Sequence, residues 1–178
     1  MLNCSIKSVF FFVTFITTLS CVSKQIVAKE NTQFEIKSQM TVTNIMELDS
    51  RYIIYPSAFI KTIGKGKIII KEPITIIGRN QVFSEDINIE YKPFTISEIY
   101  PEWFGAKGYD QLDDTKAFQK AFSIAKALQN SINVMVSIGN FYISNTLELE
   151  NIPNFNKSIN LLGTSMSVST GHGSSLVW

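Results

Sequence analysis

Glu148 and Glu150 have the spacing in this chain that comes nearest to a chemical device. Residues two apart on an extended strand share a face at roughly 6.6 to 6.8 Å. That falls inside the separation of about 5 to 9.5 Å at which two carboxylates act together on a glycosidic bond. With Leu147 and Leu149 turned inward, both glutamates face solvent, either lining a groove for sugar or Ca2+ or forming the ordinary wet face of a half-exposed strand. The wet face is the default for an alternating strand. Asp113 and Asp114 form a second carboxylate pair, but neighbours at a helix start point in different directions, so capping accounts for them better than acid–base work. His172, between Gly171 and Gly173, has no companion ligand in the sequence and is weak material for a base or a metal site. Tyr100 and Trp103 either stack on a sugar ring or anchor their loop against a core, and the anchoring role is the simpler one. A phosphate loop, a Ser/His/Asp order and a Cys–His metal spacing are all missing from the sequence, so no catalytic residue and no metal ligand can be assigned from it.

The elements that must carry these residues begin after a leader. Lys7 precedes an apolar run from Val9 to Leu19, too short for a membrane-spanning helix of roughly 20 residues, so residues 1–23 read as a secretory signal peptide. Thr18-Leu19-Ser20-Cys21 is a loose lipobox that would make Cys21 a lipid-bearing first residue; cleavage after Ser23 or Ala28 would instead leave a soluble product. The expectation is an exported protein, in the periplasm, at the cell surface or outside the cell, touching membrane only through a lipid at Cys21. Both cysteines, Cys4 and Cys21, lie in that leader, so the mature domain has no disulfide to form. A formal charge of +1 over 178 residues argues against nucleic acid as a partner.

Residues 24–33 are polar and read as a tether. Across 34–99, short β-branched and aromatic runs alternate with Gly and Pro corners, giving strand signals at 41–43, 52–55, 67–70, 74–77, 86–89 and 94–96. One helix is expected over 114–129, with Ala117, Phe118, Ala121, Phe122, Ala125 and Leu128 on one face and Lys116, Lys120 and Lys126 on the other. Strand signals return at 133–136, 141–143, 146–149, 159–162 and 175–177. Periodicity alone leaves a solenoid and a small sandwich both open over 34–99.

The run Tyr100-Pro-Glu-Trp-Phe-Gly-Ala-Lys-Gly108, followed by Asp113-Asp114-Thr115 and the helix, resembles the opening of the pectate-lyase-like right-handed parallel β-helix superfamily. Members of that family carry Pro-Glu-Trp-Phe-Gly-Ala-Lys-Gly-Asp-Gly ending in Thr-Asp-Asp-Thr. Here Tyr109 stands in place of the aspartate that follows Gly108, the second glycine is lost, and Leu112 replaces the threonine. The resemblance extends from about Gly66 to Val177 and implies a mainly β fold: parallel β-helix coils with an amphipathic helix capping the end of the stack. It assigns Trp103, Gly105, Gly108, Asp113 and Asp114 to loop and helix-cap roles, and residues 100–178 to the start of the β-helix domain.

The same resemblance implies a polysaccharide partner; no cofactor is expected from the residues, and Ca2+ is admitted only through the resemblance. The family spans lyases, hydrolases, epimerases and tailspike-type depolymerases, whose catalytic groups sit on later coils. The expectation is thus the N-terminal part of a polysaccharide-active protein without its complete catalytic machinery, or else a non-catalytic glycan-binding or adhesin-like envelope module that oligomerises through an exposed coil edge.

Overall fold

The computed structural model describes residues 33–148, 157–163 and 174–177. The leader with Cys21, most of the tether, Glu150 and His172 lie outside the described residues.

Strands β1 (Gln33–Ile36), β2 (Gln39–Val42) and β3 (Ile45–Leu48) are followed by β4 (Arg51–Ile54), β5 (Phe59–Thr62) and β6 (Lys67–Ile70). The second trio lies parallel on the first, β4 on β1, β5 on β2 and β6 on β3. A third rung follows. β7 (Ile74–Ile76) pairs with β4, Phe83 bridges to Ile60 of β5, and β8 (Ile89–Tyr91) pairs with β6. Because the register is held, like side chains stack: Ile36, Ile54 and Ile76 on one face; Met40, Ile60 and Phe83 on the next; Leu48, Ile70 and Tyr91 on the third. These columns form the front of the core, and removal of apolar surface from water at about 25 cal/mol per Å² drives their closure. Corners are tied by polar pairs between rungs: Tyr55 Oη donates to Glu35 (2.7 Å) and Lys71 Nζ to Glu47 (2.5 Å). Glu90 is gripped by Lys67 and Lys92 (both 2.6 Å), which hold its carboxyl down at about 2.

Three strands are absent from the sequence reading: β1, β3 and β5. Two of its segments move. The strand expected at 86–89 begins instead at Ile89, because Ser84–Ile87 closes a turn (Ile87 N–H to Ser84 O, 3.1 Å). The strand expected at 94–96 is a turn, and the chain becomes extended only at β9 (Glu98–Ile99). No ladder forms over 146–148 either, where Gln119 of the helix clasps Glu148 through its N–H (2.8 Å) and its carbonyl (3.1 Å).

The helix α1 spans Thr115–Ala127, with Phe118, Ala121, Phe122 and Ala125 buried. It packs on the 3-10 turn Pro101–Phe104 and on β10 (Ile132–Val136), and Phe118 meets Phe141 edge-on at 5.5 Å. Lys120 is not on an open face, since it is half-buried and its Nζ donates to Ile87 O beside β8. Lys157 Nζ donates to the closing carbonyls of the helix, including Ala125 O at 3.4 Å, a cation at the negative end of the dipole. The helix thus reaches the third rung through Lys120 and Ile87 O. β9 and β10, on either side of it in sequence, pair directly, and β12 (Ile159–Gly163) continues that sheet. A second rear sheet joins β11 (Gly139–Tyr142) to β13 (Ser174–Val177), again in parallel.

Candidate functional site

The front and rear sheets do not run into each other on the first face. The front sheet, β1-β4-β7, ends at β7, and the rear sheet starts at β9. Only Ile74 N–H to Thr95 O (3.4 Å) links β7 to the segment that comes next to it. Between them lies an open groove of about 550 Å³. In a parallel ladder, successive residues turn their backbone groups to alternate sides. Since Ile74 N–H points toward Thr95, the N–H and C=O of Ile76 point to that same side, into the groove.

Its rear bank is built by the 3-10 turn. Tyr100 precedes Pro101, which starts the turn, and Gly105 ends it at φ 110, a left-handed value where a β-carbon would be strained and would also crowd Gln81 at 3.1 Å. Trp103 is buried and donates its Nε1–H to Gly78 O (3.1 Å), while its carbonyl accepts Val82 and Phe83 N–H (3.1 and 2.9 Å). Trp103 thus anchors the loop, yet one part of its ring still lines the groove, 5.0 Å from Tyr100. Tyr100 carries Arg79 over its ring at 5.3 Å and donates its hydroxyl to Glu98 (3.2 Å). Burial, then the neighbouring Glu98 charge, raise its phenol above the ordinary range.

The lip that faces β7 across the groove is the turn Lys92–Thr95, closed by Thr95 N–H to Lys92 O (3.3 Å). Pro93 takes its second position and Phe94, at φ 63, its third. Asn130, just beyond the helix, reaches over: its Oδ1 accepts Phe94 N–H (3.0 Å) and its Nδ2 donates to Ile96 O (3.3 Å). Chemically the groove offers aromatic faces, hydroxyls, an amide, one cation and one carboxylate. That is equipment for holding a hydroxylated ligand with flat apolar faces.

The residues singled out by sequence fall elsewhere. Asp113 accepts Thr115 N–H (3.0 Å), Thr115 Oγ1–H (2.5 Å) and Ser144 Oγ–H (2.8 Å), an arrangement that holds its carboxyl down at about 2. Asp114 makes no side-chain cap to the helix. Its carboxylate is buried and accepts Lys107 N–H (2.7 Å) and Tyr142 N–H (3.2 Å), and burial pushes its pKa up. Both therefore tie the helix start to β11, and they do not form an acid–base pair. Gly108 lies back to back with Gly139, and its carbonyl accepts Asn140 N–H at 2.7 Å. Glu148 is exposed and lies in no strand, and Glu150, its expected companion, lies outside the described residues. Glu102, a member of the aromatic loop, is buried: its Oε1 accepts Ser137 N–H (2.9 Å) while Oε2 has no partner.

Phe94, Arg79, Glu98 and Asn130 were missed by sequence reasoning. The single available signal was Pro93-Phe94, where a turn places an aromatic in a position suited to glycine. Among the described residues no group of three or more His, Cys, Asp or Glu is placed to hold a metal ion, and no helix is long and apolar enough to cross a membrane. Fold and groove together define a mainly β protein of parallel, stacked strands with one helix and an open aromatic-lined cleft. No family model, no curated protein and no solved structure matches the chain.

Proposed function

We propose that this chain is the N-terminal part of an exported, polysaccharide-active protein built as a right-handed parallel β-helix, and that its groove binds the polymer and does not cut it. The observation that carries the reading is the groove itself, where Phe94, Tyr100 and Trp103 stand beside Arg79, Glu98 and an unpaired stretch of strand edge. Sugars present alternating C–H faces and hydroxyl rims, and such a lining answers both.

Three successive rungs in register support the β-helix part, and parallel crossovers are right-handed in about 98% of cases. The aromatic loop supports the family assignment, since each of its ring and glycine positions has a structural task here. Lyase or hydrolase chemistry, and any Ca2+ it uses, belongs in this reading to coils other than the described ones. The single carboxylate of the groove lining, Glu98, has no second carboxylate beside it in that lining. A lipid on Cys21 or a cleaved leader would place the protein at the envelope or outside it.

The test is affinity electrophoresis of the purified chain through gels containing a panel of neutral and acidic polysaccharides. Retardation by at least one polymer, relieved by free oligosaccharide, is the expected result. Unchanged migration across the whole panel would remove the reading.

A further inference from the structure

Phe94 occupies a backbone position that its own side chain disfavours. The third position of a Pro-initiated turn with φ near 63 suits glycine or asparagine, because a β-carbon there crowds the backbone. A large residue usually offsets such strain by packing. Phe94 does not, being 78% exposed. The turn is nevertheless held from outside: Asn130, from beyond the helix, bonds both Phe94 N–H (3.0 Å) and Ile96 O (3.3 Å). A strained, unpacked ring that a distant amide keeps in place at the edge of a groove has a use outside the folded state.

We infer that Phe94 is the stacking platform for a neutral pyranose of the bound polysaccharide. This rests on the glycan-binding reading above. The ring face meets the C–H face of the sugar, and the Ile76 N–H and C=O on the opposite bank meet its hydroxyls. Neutrality follows from the charges. Arg79 lies over the Tyr100 ring and Glu98 accepts that tyrosine's hydroxyl, so cation and anion are gathered on one side chain. With one cation and one carboxylate in its lining, the groove has no net charge with which to favour a uronate.

The experiment compares the full chain with Phe94→Gly and Phe94→Tyr in gels containing a neutral β-glucan, a galactomannan or polygalacturonate, alongside thermal melts. Glycine suits the backbone, so Phe94→Gly should melt at the same temperature or higher. Its affinity for a neutral polymer should fall by about threefold to tenfold, and Phe94→Tyr should keep it. Binding by Phe94→Gly equal to that of the parent overturns the inference and leaves the glycan-binding reading standing. A parent retarded by none of the polymers overturns both. Retardation by polygalacturonate alone overturns the neutral ligand, and a lower melting temperature for Phe94→Gly shows that the ring serves the fold.

Discussion

Asp113 and Asp114 are chemically identical neighbours that the fold drives apart. Asp113, at the surface, accepts hydroxyl and amide donors from Thr115 and Ser144, and these keep its charge favoured down to about 2. Asp114, buried between Lys107 and Tyr142, has its pKa raised by loss of water. The signs therefore oppose. Asp113 contributes stability above the ordinary carboxylate value of 3.8, and this is lost as pH falls from there toward about 2. Asp114, with a raised pKa, binds its proton earlier in the fold than in the unfolded chain, so its own contribution improves as pH falls through its raised folded value toward 3.8 and is complete below that, where the loss at Asp113 begins. Asp113→Asn should lower stability by about 0.5 to 1 kcal/mol at neutral pH, the lower part of the capping range because the site is wet. Melting temperatures taken from about pH 7 to 2 should converge for parent and variant at the acid end; a constant gap would show that Asp113 is not the titrating support. The carboxylate pair itself was plain in the sequence. Its division of labour was not, since it is decided by Tyr142 and Ser144 on and after a strand nearly thirty positions away.

Elements were legible where one stretch of chain carries its own signal. Strand 67–70 lies where its Lys-Ile-Ile-Ile run put it, and the helix is one residue shorter at its start and two at its end than the apolar period suggested. β1, β3 and β5 hold Glu35, Glu47 and Lys61 and lack a continuous β-branched run, so only the register with a neighbouring rung makes them strands. The same dependence on a distant partner explains Gly108. The family-like loop keeps this glycine while losing the next, and the fold gives the reason: a β-carbon on Gly108 would meet Gly139 Cα at 2.8 Å and the Phe141 ring at 3.0 Å. Backbone cannot yield cheaply, so Gly108→Ala should cost about 1 to 3 kcal/mol, read as a lower urea midpoint with an unchanged slope. An unaltered midpoint would mean that the loop and β11 are not in contact. Tyr109, at 77% exposure, marks the neighbouring position where no such contact exists and substitution is free.

At the scale of the molecule, the groove is also a seam. Stacked rungs are stabilised by their nearest neighbours, so any plane with few ladder bonds is where the stack should part. On the first face the seam between β7 and the 95–99 segment has a single backbone bond, Ile74 to Thr95. What crosses it elsewhere is chiefly the aromatic loop: Trp103 Nε1–H to Gly78 O, Val82 and Phe83 N–H to Trp103 O, and Phe104 stacked on Phe83 at 5.6 Å. Trp103 is thereby the rivet between front and rear, which gives the Pro-Glu-Trp-Phe run a mechanical meaning independent of any ligand. Trp103→Ala should cost about 3 to 5 kcal/mol, and the loss should fall unevenly. Hydrogen exchange followed by mass spectrometry should show the β4 and β6 amides opening separately from those of β10, where the parent opens them together. A ligand spanning both banks should work in the other direction, adding about 2.7 kcal/mol at a hundredfold excess over its dissociation constant and bringing front and rear back toward one transition. Joint opening in the Trp103→Ala chain would place the coupling in the helix instead, through Lys120 and Ile87.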